Sequence, residues 1–160
     1  MDMMYYTAVG SPIGRLVLMG SQGSLTGLWT NSHAVTPAGL RDERRFSEEV
    51  AQLEAYFAGE LQRFDISLEA TGTPFQQLVW DALRGIDYGS TIPYAELARR
   101  VGRPGAARAV GAACGRNPIA IVVPCHRVVG TDGSLTGYAG GVDTKRALLT
   151  LERDAGLAGA

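Results

Sequence analysis

The sequence contains few of the residues that build metal centres or disulfide frameworks. Its 160 residues include only 2 Cys, which are Cys114 and Cys125, and 2 His. No Cys-x-x-Cys or His-x-x-x-His pair occurs, and His33 lies far along the chain in a polar stretch. A zinc site is therefore not expected, and neither is any other cofactor. Two isolated thiols in a chain without an export signal are typical of reduced cysteines.

Long apolar runs are also missing. No run reaches the roughly 18 residues that a membrane helix needs. The first ten residues have neither the basic residue nor the apolar core of a signal peptide. We therefore expect a cytoplasmic protein with no membrane partner. With 46% hydrophobic and 19% charged residues, the composition is that of an ordinary globular chain with one large domain or two small ones.

Charge is divided unequally along the chain. Residues 1–74 contain 5 Arg against 9 Asp or Glu, whereas residues 75–160 contain 10 Lys or Arg against 7 Asp or Glu. The net charge of −1 taken alone argues against a nucleic-acid partner. The basic second half nevertheless indicates a surface that faces a polyanion.

The first half of the chain predicts a small α/β domain over residues 1–70. Short apolar runs separated by Gly and Ser predict three strands, at residues 5–9, 15–19 and 25–29. A helix is predicted over residues 47–57 with Ser47 as its N-cap, followed by a strand at 63–68. No residue in this half suggests catalytic chemistry.

The second half, residues 75–160, predicts a mostly helical domain. Its first helix has one apolar face, made of Phe75, Leu78, Val79, Ala82, Leu83 and Ile86. Two further helices begin near Tyr94 and Ala106, on either side of the chain break Gly-Arg-Pro-Gly at 102–105. Helix, four-residue turn and helix together are the layout of a helix-turn-helix.

The second helix of this motif, residues 106–114, carries almost only small side chains. Val110 is predicted to pack inward, while Arg108 faces solvent or a ligand. A thin helix can enter a narrow groove, which favours the minor groove of DNA. A plain Ala/Gly packing helix with a solvated Arg108 explains the same pattern, and the helix alone does not decide between the two.

The chemistry is concentrated around Cys125. The apolar run 119–123 leads into Pro124, Cys125 and His126, and a Gly-rich loop follows over residues 130–141. A lone cysteine is usually a small buried hydrophobe, and adjacent side chains need not meet. Here a stiff segment delivers the cysteine, and the glycines let backbone N–H groups approach a ligand. This context predicts a nucleophilic cysteine beside a pocket.

These motifs together resemble the O6-alkylguanine-DNA alkyltransferase family. The signature Pro-Cys-His-Arg-Val stands complete at 124–128, with Arg-Ala-Val-Gly at 108–111, Asn117-Pro118, and Gly-Tyr-x-Gly-Gly at 137–141. The likeness covers most of residues 72–155. In the first half, Ser-Pro-Ile-Gly at 11–14 is the best local match. The resemblance implies an α+β fold, in which a small ribonuclease-H-like α/β domain precedes the helical domain that carries the helix-turn-helix and active site.

The resemblance also implies direct-reversal DNA repair. The family transfers the alkyl group of O6-alkylguanine in duplex DNA irreversibly to its own cysteine, here Cys125, after flipping the damaged nucleotide. A thioether has no carbonyl for water to attack, so one protein molecule accepts one alkyl group. A monomer is expected. Activity on O4-alkylthymine and cooperative binding along DNA stay open.

Roles for the catalytic residues follow from the same resemblance. His126 corresponds to the base, which acts on the thiol through a water, and Glu152 to the carboxylate that holds this histidine. Tyr94 corresponds to the hydrogen-bond donor to the leaving O6. Glu152 has independent support, because it lies one turn from Leu148 on the apolar side of a helix predicted over 143–151 with Asp143 as its cap. A carboxylate there needs a partner, although pairing at a frayed helix end would also account for it.

The remaining site residues concern DNA and the base pocket. Arg108 corresponds to the finger that enters the base stack, on a DNA-facing helix surface with Ala106, Ala107 and Gly111. The expected pocket lining is Val128, Tyr138, Ala139 and Gly140. Asn117 corresponds to a structural residue that ties the recognition helix to the active-site segment. Ala139 departs from the family, which often has Ser there, so a hydroxyl near the guanine O6 is lost.

Two other classes of protein remain as alternatives. A non-catalytic helix-turn-helix regulator or lesion sensor explains the helices and Arg108 but leaves Cys125 and the Gly-rich loop without a purpose. A Cys-His hydrolase explains Cys125, His126 and Glu152 but makes the thin helix accidental. Covalent capture of one alkyl group per chain separates both from alkyl transfer.

Overall fold

The computed structural model describes residues 3–21, 23–30 and 36–158. The first half contains a four-stranded sheet of order β3-β2-β1-β4, whose strands are β1 Tyr5–Val9, β2 Leu16–Ser21, β3 Ser24–Trp29 and β4 Leu40–Arg41. The first three strands are antiparallel neighbours, and β4 pairs parallel to β1. The three predicted strands are confirmed within a residue or two at each end. His33 lies outside the described residues.

Helix α1 spans Ser47–Phe57 and packs its Leu53 and Tyr56 into the core. The prediction that Ser47 caps this helix is wrong. A 3-10 turn over Glu43–Phe46 runs directly into α1, so Ser47 is already helical, and the cap belongs to Asp42, whose carboxylate accepts from the Arg44 N–H. Since the turn is already hydrogen-bonded, no N-terminal cap is needed at Ser47.

The strand predicted at 63–68 does not form. Only Leu68 makes an isolated parallel bridge, to Leu25. The Gln52 side chain of α1 instead accepts from the Asp65 N–H at 2.8 Å and donates to the Asp65 carbonyl at 3.0 Å. An amide side chain therefore satisfies backbone groups that a neighbouring strand would otherwise pair.

The second half is mostly helical, as predicted. Its helices are α2 Pro74–Leu83, α3 Tyr94–Arg100, α4 Ala107–Gly115 and α5 Val142–Ala158, and two short parallel strands, β5 Ile92–Pro93 and β6 Val128–Val129, pair between them. Helix α2 begins with a capping box between Thr73 and Gln76. Helices α3 and α4, joined by a turn, form the helix-turn-helix and contact each other and α2.

Two details of these helices differ from the predictions. Leu78 of α2, expected in the core, is 41% exposed. Trp80 is buried instead, and its indole N–H donates to the Ala113 carbonyl of α4 at 2.8 Å. Packing of the Trp80 ring therefore determines which face of α2 points inward. Asp143 is not a cap, because α5 begins at Val142 and Asp143 lies in its first turn.

The two halves share one hydrophobic core. Strand β3 reaches the active-site segment directly: the Leu28 N–H donates to the Pro118 carbonyl at 2.9 Å, and the Ala120 N–H donates to the Leu28 carbonyl at 3.0 Å. The apolar segment that precedes Cys125 is therefore anchored to the sheet of the first half. Within the described ranges, no helix is both long and apolar enough to cross a membrane.

Candidate active site

Cys125 lies at the end of a buried and tightly bonded segment. It begins a 3-10 turn, Cys125–Arg127, and is 8% exposed. The Asn117 amide, two residues beyond α4, donates to the Val123 carbonyl at 2.8 Å and to Cys125 Sγ at 3.3 Å. Ile121 has a φ of 71°, which is uncommon for a β-branched residue. Asn117 thus joins the end of α4 to the cysteine segment.

The nucleophile and its neighbour are both neutral at rest. Burial raises the pKa of the Cys125 thiol, while the Asn117 hydrogen bond and the Lys145 charge lower it less. Burial also lowers the pKa of His126, against the opposing effect of Glu152. A neutral thiol needs a base before it can attack, and a neutral imidazole is able to act as one.

Glu152 is fully buried and accepts hydrogen bonds from two halves of the chain. Its Oε2 lies 2.6 Å from His126 Nε2 and 2.6 Å from the Tyr56 hydroxyl. Arg127 donates Nε to Oε1 at 2.8 Å and Nη2 to Oε2 at 3.1 Å, and the Gly89 N–H donates to Oε1 at 3.2 Å. Burial alone raises the pKa of this carboxyl, but the bonds and charges of His126 and Arg127 hold it well below its usual range.

This arrangement assigns the two nitrogens of His126. Because Glu152 is ionised, His126 Nε2 carries the proton and donates it to Oε2. Among the described residues, Nδ1 is buried and has no hydrogen-bond partner. Nδ1 is therefore the nitrogen that can accept a proton. Glu152 is an internal residue of α5 rather than part of a frayed end, and the interpretation as a terminal ion pair is wrong.

Tyr94, the first residue of α3, lies over the Gly-rich loop. Its hydroxyl donates to the Thr136 carbonyl at 3.2 Å. Burial raises the pKa of Tyr94 to about 12, and the charges of Cys114 and Cys125 add to the rise. Tyr94 therefore remains a protonated donor at neutral pH, close enough to Cys125 to sense its charge.

The expected pocket residues come from strand β6 and the Gly-rich loop. Val128 is buried in β6, Tyr138 and Gly140 contact each other, and Ala139 is exposed. A Cβ on Gly140 would clash with Thr30 Oγ1 and lie 2.7 Å from the Tyr138 ring. Burial raises the pKa of Tyr138 well above its ordinary value, and the charge of Cys125 adds to this. Glycine at 140 thus allows the loop to pack between Tyr138 and the end of β3.

The recognition helix α4 has the predicted orientation. Val110 is buried and Arg108 is exposed. Gly111 lies on the side of α4 that faces Tyr94. A Cβ built on Gly111 would lie 3.8 Å from the Tyr94 ring. Ala106 and Ala107 are half-buried at the start of the helix.

Three residues near the site were missed at the sequence level. Lys145 is fully buried, donates Nζ to the Thr136 carbonyl at 3.0 Å, and lies 5.7 Å from the Tyr94 ring centroid. Lys145 lies three residues before Leu148 and seven before Glu152, which places all three on one face of α5. This spacing could have identified Lys145 from the sequence. Arg127 stands in the signature but was given no role, and nothing in the sequence links Tyr56 to Glu152.

The site thus combines the buried Cys125, the His126–Glu152 hydrogen bond and an adjacent pair of helices, α3 and α4, joined by a turn. Two family models match the chain: the ribonuclease-like domain of 6-O-methylguanine DNA methyltransferase over residues 4–70, and the DNA binding domain of 6-O-methylguanine DNA methyltransferase over residues 74–154. The chain belongs to the 6-O-methylguanine DNA methyltransferase family. The family resemblance and the α+β fold class are thereby confirmed.

Individual relatives are similar over nearly the whole chain. The methylated-DNA–protein-cysteine methyltransferase of Mycobacterium tuberculosis strain H37Rv is 53% identical over 154 residues, covering 94% of this chain and 93% of that protein. Its counterpart from Methanosarcina acetivorans is 50% identical over 153 residues, covering 93% and 98%. The crystal structure of Mycobacterium tuberculosis OGT in complex with DNA superposes with a TM-score of 0.91 at 53% identity, covering 94% of each chain.

Proposed function

We propose that this chain repairs alkylated DNA by direct reversal, as a methylated-DNA–protein-cysteine methyltransferase that acts once. The observation that carries the proposal is the buried relay in which His126 donates to the ionised Glu152 and keeps Nδ1 free to accept a proton. Family membership supplies the substrate class, O6-alkylguanine in duplex DNA.

The reaction is a displacement at saturated carbon. The proton of Cys125 passes through a water to His126 Nδ1, and Glu152 stabilises the imidazolium that forms. The thiolate attacks the alkyl carbon, a sulfur–carbon bond forms, and the carbon–O6 bond breaks with its electron pair on guanine. Tyr94 donates a hydrogen bond to O6 as this negative charge develops. The guanine anion takes up one proton and His126 releases one to solvent, so the products are unmodified guanine and an S-alkylcysteine that water does not cleave.

The damaged base has to leave the helix to react. Cys125 is nearly inaccessible from the surface, and a base inside a duplex cannot reach a buried thiol. We place α4 in the minor groove through its narrow surface of Ala106, Ala107 and Gly111, with Arg108 filling the gap in the stack. The flipped guanine then lies against Val128, Tyr138, Ala139 and Gly140.

The experiment that tests this function is intact-mass spectrometry after incubation with a duplex containing O6-methylguanine. We expect a gain of about one methyl group that saturates at one per chain, because a thioether is not turned over. Unchanged mass with DNA still bound would indicate a non-catalytic lesion sensor. Product in large excess over protein, from an ester or peptide, would indicate a hydrolase.

Arg108→Ala is expected to separate flipping from chemistry. The variant should react with free O6-benzylguanine at the wild-type rate but with duplex O6-methylguanine roughly ten-fold more slowly, since unstacking costs a few kcal/mol. Single-turnover rates on both substrates measure this. Arg116→Ala is the matched control, because it removes the same charge from an exposed residue just after α4. Equal losses on both substrates for Arg108→Ala would contradict the assignment.

The organisation of the protein is proposed on the same basis. Two domains, 1–70 and 75–160, are supported by the two family models, which meet at residues 70–74. The monomeric state stays a prediction. The cytoplasmic location stays a prediction.

A further inference from the structure

We propose that Tyr56, in the first half of the chain, is a positioning residue for the catalytic relay: its hydroxyl holds Glu152 Oε2 in line with His126 Nε2. The inference rests on the proposed function and extends it to a domain in which the sequence indicated no chemistry. Tyr56 lies 96 positions before Glu152, on α1, and is completely buried.

The hydroxyl and the imidazole share one oxygen atom. Tyr56 Oη and His126 Nε2 each lie 2.6 Å from Glu152 Oε2. Burial and the negative charge of Glu152 raise the pKa of Tyr56 far above its ordinary value. Tyr56 therefore remains protonated at neutral pH and donates its hydroxyl hydrogen to Glu152 Oε2.

The surrounding rings hold Tyr56 in place. Phe57 packs edge-on at 5.3 Å between centroids, Phe64 lies at 5.4 Å, and Tyr88 packs edge-on at 6.2 Å. A tyrosine ring confined on three sides cannot swing its hydroxyl without moving α1. The position of Oε2 is thereby tied to the helix of the first half.

The other hydrogen-bond donors to Glu152 hold its Oε2 less closely than Tyr56 does. Gly89 binds only Oε1, and Arg127 bonds Oε1 at 2.8 Å but Oε2 more loosely at 3.1 Å. Tyr56 is the second close donor to the oxygen that faces His126. When His126 takes the thiol proton, the imidazolium is stabilised in proportion to how well Oε2 stays aligned with Nε2. Losing the hydroxyl should make the Cys125 thiolate harder to form.

The charged and titratable groups around Oε2 come from four segments. They are Tyr56 of α1, Tyr88 before β5, His126 and Arg127 of the 3-10 turn, and Glu152 itself on α5. Tyr88 has a raised pKa, first through burial and then through the charge of Glu152. Among these groups, His126 is the one whose protonation the position of Oε2 affects directly.

The test is Tyr56→Phe in the full-length protein. Single-turnover alkylation by O6-methylguanine duplex is measured across the acidic to alkaline range and normalised to the reactive fraction. We expect the rate at neutral pH to fall roughly five- to ten-fold, as the loss of one hydrogen bond to a charged group implies. The acidic limb of the pH–rate profile, which reports protonation of the His126 base, should move to lower pH because the imidazolium is less well stabilised, and the rate should recover in alkali, where the thiolate forms without the base.

Tyr88→Phe is the matched control. It removes a buried hydroxyl that has no hydrogen-bond partner among the described residues, from a ring in edge contact with Tyr56. Its pH profile should match the wild type. An unmoved acidic limb in Tyr56→Phe would make Tyr56 merely structural and overturn the inference, and so would a shift to higher pH, which would mean that the hydroxyl withdraws charge from Glu152 rather than aligning it.

A double variant keeps the test decisive if Tyr56→Phe is poorly folded. Adding Tyr56→Phe to Glu152→Gln should change the rate less than two-fold, because Tyr56 acts only through the carboxylate. A further large loss in that background would overturn the inference. Failure of the wild type to accept an alkyl group in the same assay would instead overturn the proposed function, so the two failures are distinguishable.

Discussion

Changing Cys125 to serine is expected to abolish alkyl transfer while leaving binding to DNA intact. Serine keeps the shape of the side chain, so the segment from Asn117 to Val128 should retain its fold. Its hydroxyl is a far weaker and harder nucleophile than a thiolate, and a His126 base does not compensate for that at saturated carbon. Intact-mass spectrometry with O6-methylguanine duplex should show no methyl gain, and a mobility shift should show undiminished DNA binding.

Cys114→Ser is the control for this experiment. Cys114 is the other cysteine of the chain and lies buried on α4. Burial raises the pKa of Cys114 to about 12, so its thiolate is scarce at neutral pH. This variant should accept one methyl group per chain. Methylation of the Cys125→Ser protein, or its loss in Cys114→Ser, would place the acceptor elsewhere.

Glu152→Gln is expected to lower both stability and reaction rate. The amide keeps the size of the side chain but removes the negative charge beside the buried Arg127. Leaving a buried charge without its partner typically costs about 3–5 kcal/mol of the free energy of unfolding. The imidazolium of His126 loses its counter-ion as well, so the pKa of the Cys125 thiol should rise and alkylation at neutral pH should slow. Denaturant unfolding and the pH–rate profile measure the two effects.

Asp143→Asn offers a matched control on the same helix. Asp143 is fully exposed, and its ion pair with Arg146 lies in solvent, where such pairs contribute little. Both the midpoint of unfolding and the alkylation rate should stay close to the wild type. Unchanged stability and an unchanged pH profile in Glu152→Gln would remove Glu152 from the relay and contradict the proposed mechanism.

The stability lost in Glu152→Gln should depend on pH in a defined direction. The pKa of Glu152 is lower in the folded protein than its ordinary value, so the unfolded chain binds the proton more readily. The stabilisation from this carboxylate is therefore fully present above the ordinary glutamate pKa of about 4.3. It decreases as the pH falls below that value towards the folded-state pKa. The difference between wild type and variant should be largest at neutral pH and shrink in acid.

Features set by local periodicity could be predicted from the sequence, and features set by distant packing could not. The three strands, the helix-turn-helix and the inward Val110 follow from spacing alone. The strand expected at 63–68 is reduced to one bridge at Leu68, and Gln52, on another element, satisfies the backbone of Asp65. Leu78 was misplaced because a helical pattern does not reveal that Trp80 finds a carbonyl on α4. Both of these errors come from a partner that is remote in sequence, whereas the caps misassigned to Ser47 and Asp143 were errors of one residue or one turn in where a helix begins.

The same distinction applies to the site. Cys125 and His126 stand in a contiguous signature, and Glu152 was assigned through the family resemblance, with added support from its place on an apolar helix face. Lys145 lies on that same face of α5 and could have been found by the same argument. Tyr56 could not, because a tyrosine on an apolar stripe is explained by packing alone, and only the three-dimensional structure brings its hydroxyl to the carboxylate.

The sharing of Glu152 between the two halves restricts how such a chain can be recombined. A hybrid that joins this catalytic half to the first half of a relative would inherit Cys125, His126 and Glu152 intact. Its performance would still depend on whether the foreign helix presents a hydroxyl where Tyr56 stands. The junction at 71–74 is thus convenient for cloning, but the two halves on either side of it are not functionally independent. In a library of hybrids joined there, the alkylation rate should depend on the residue at position 56.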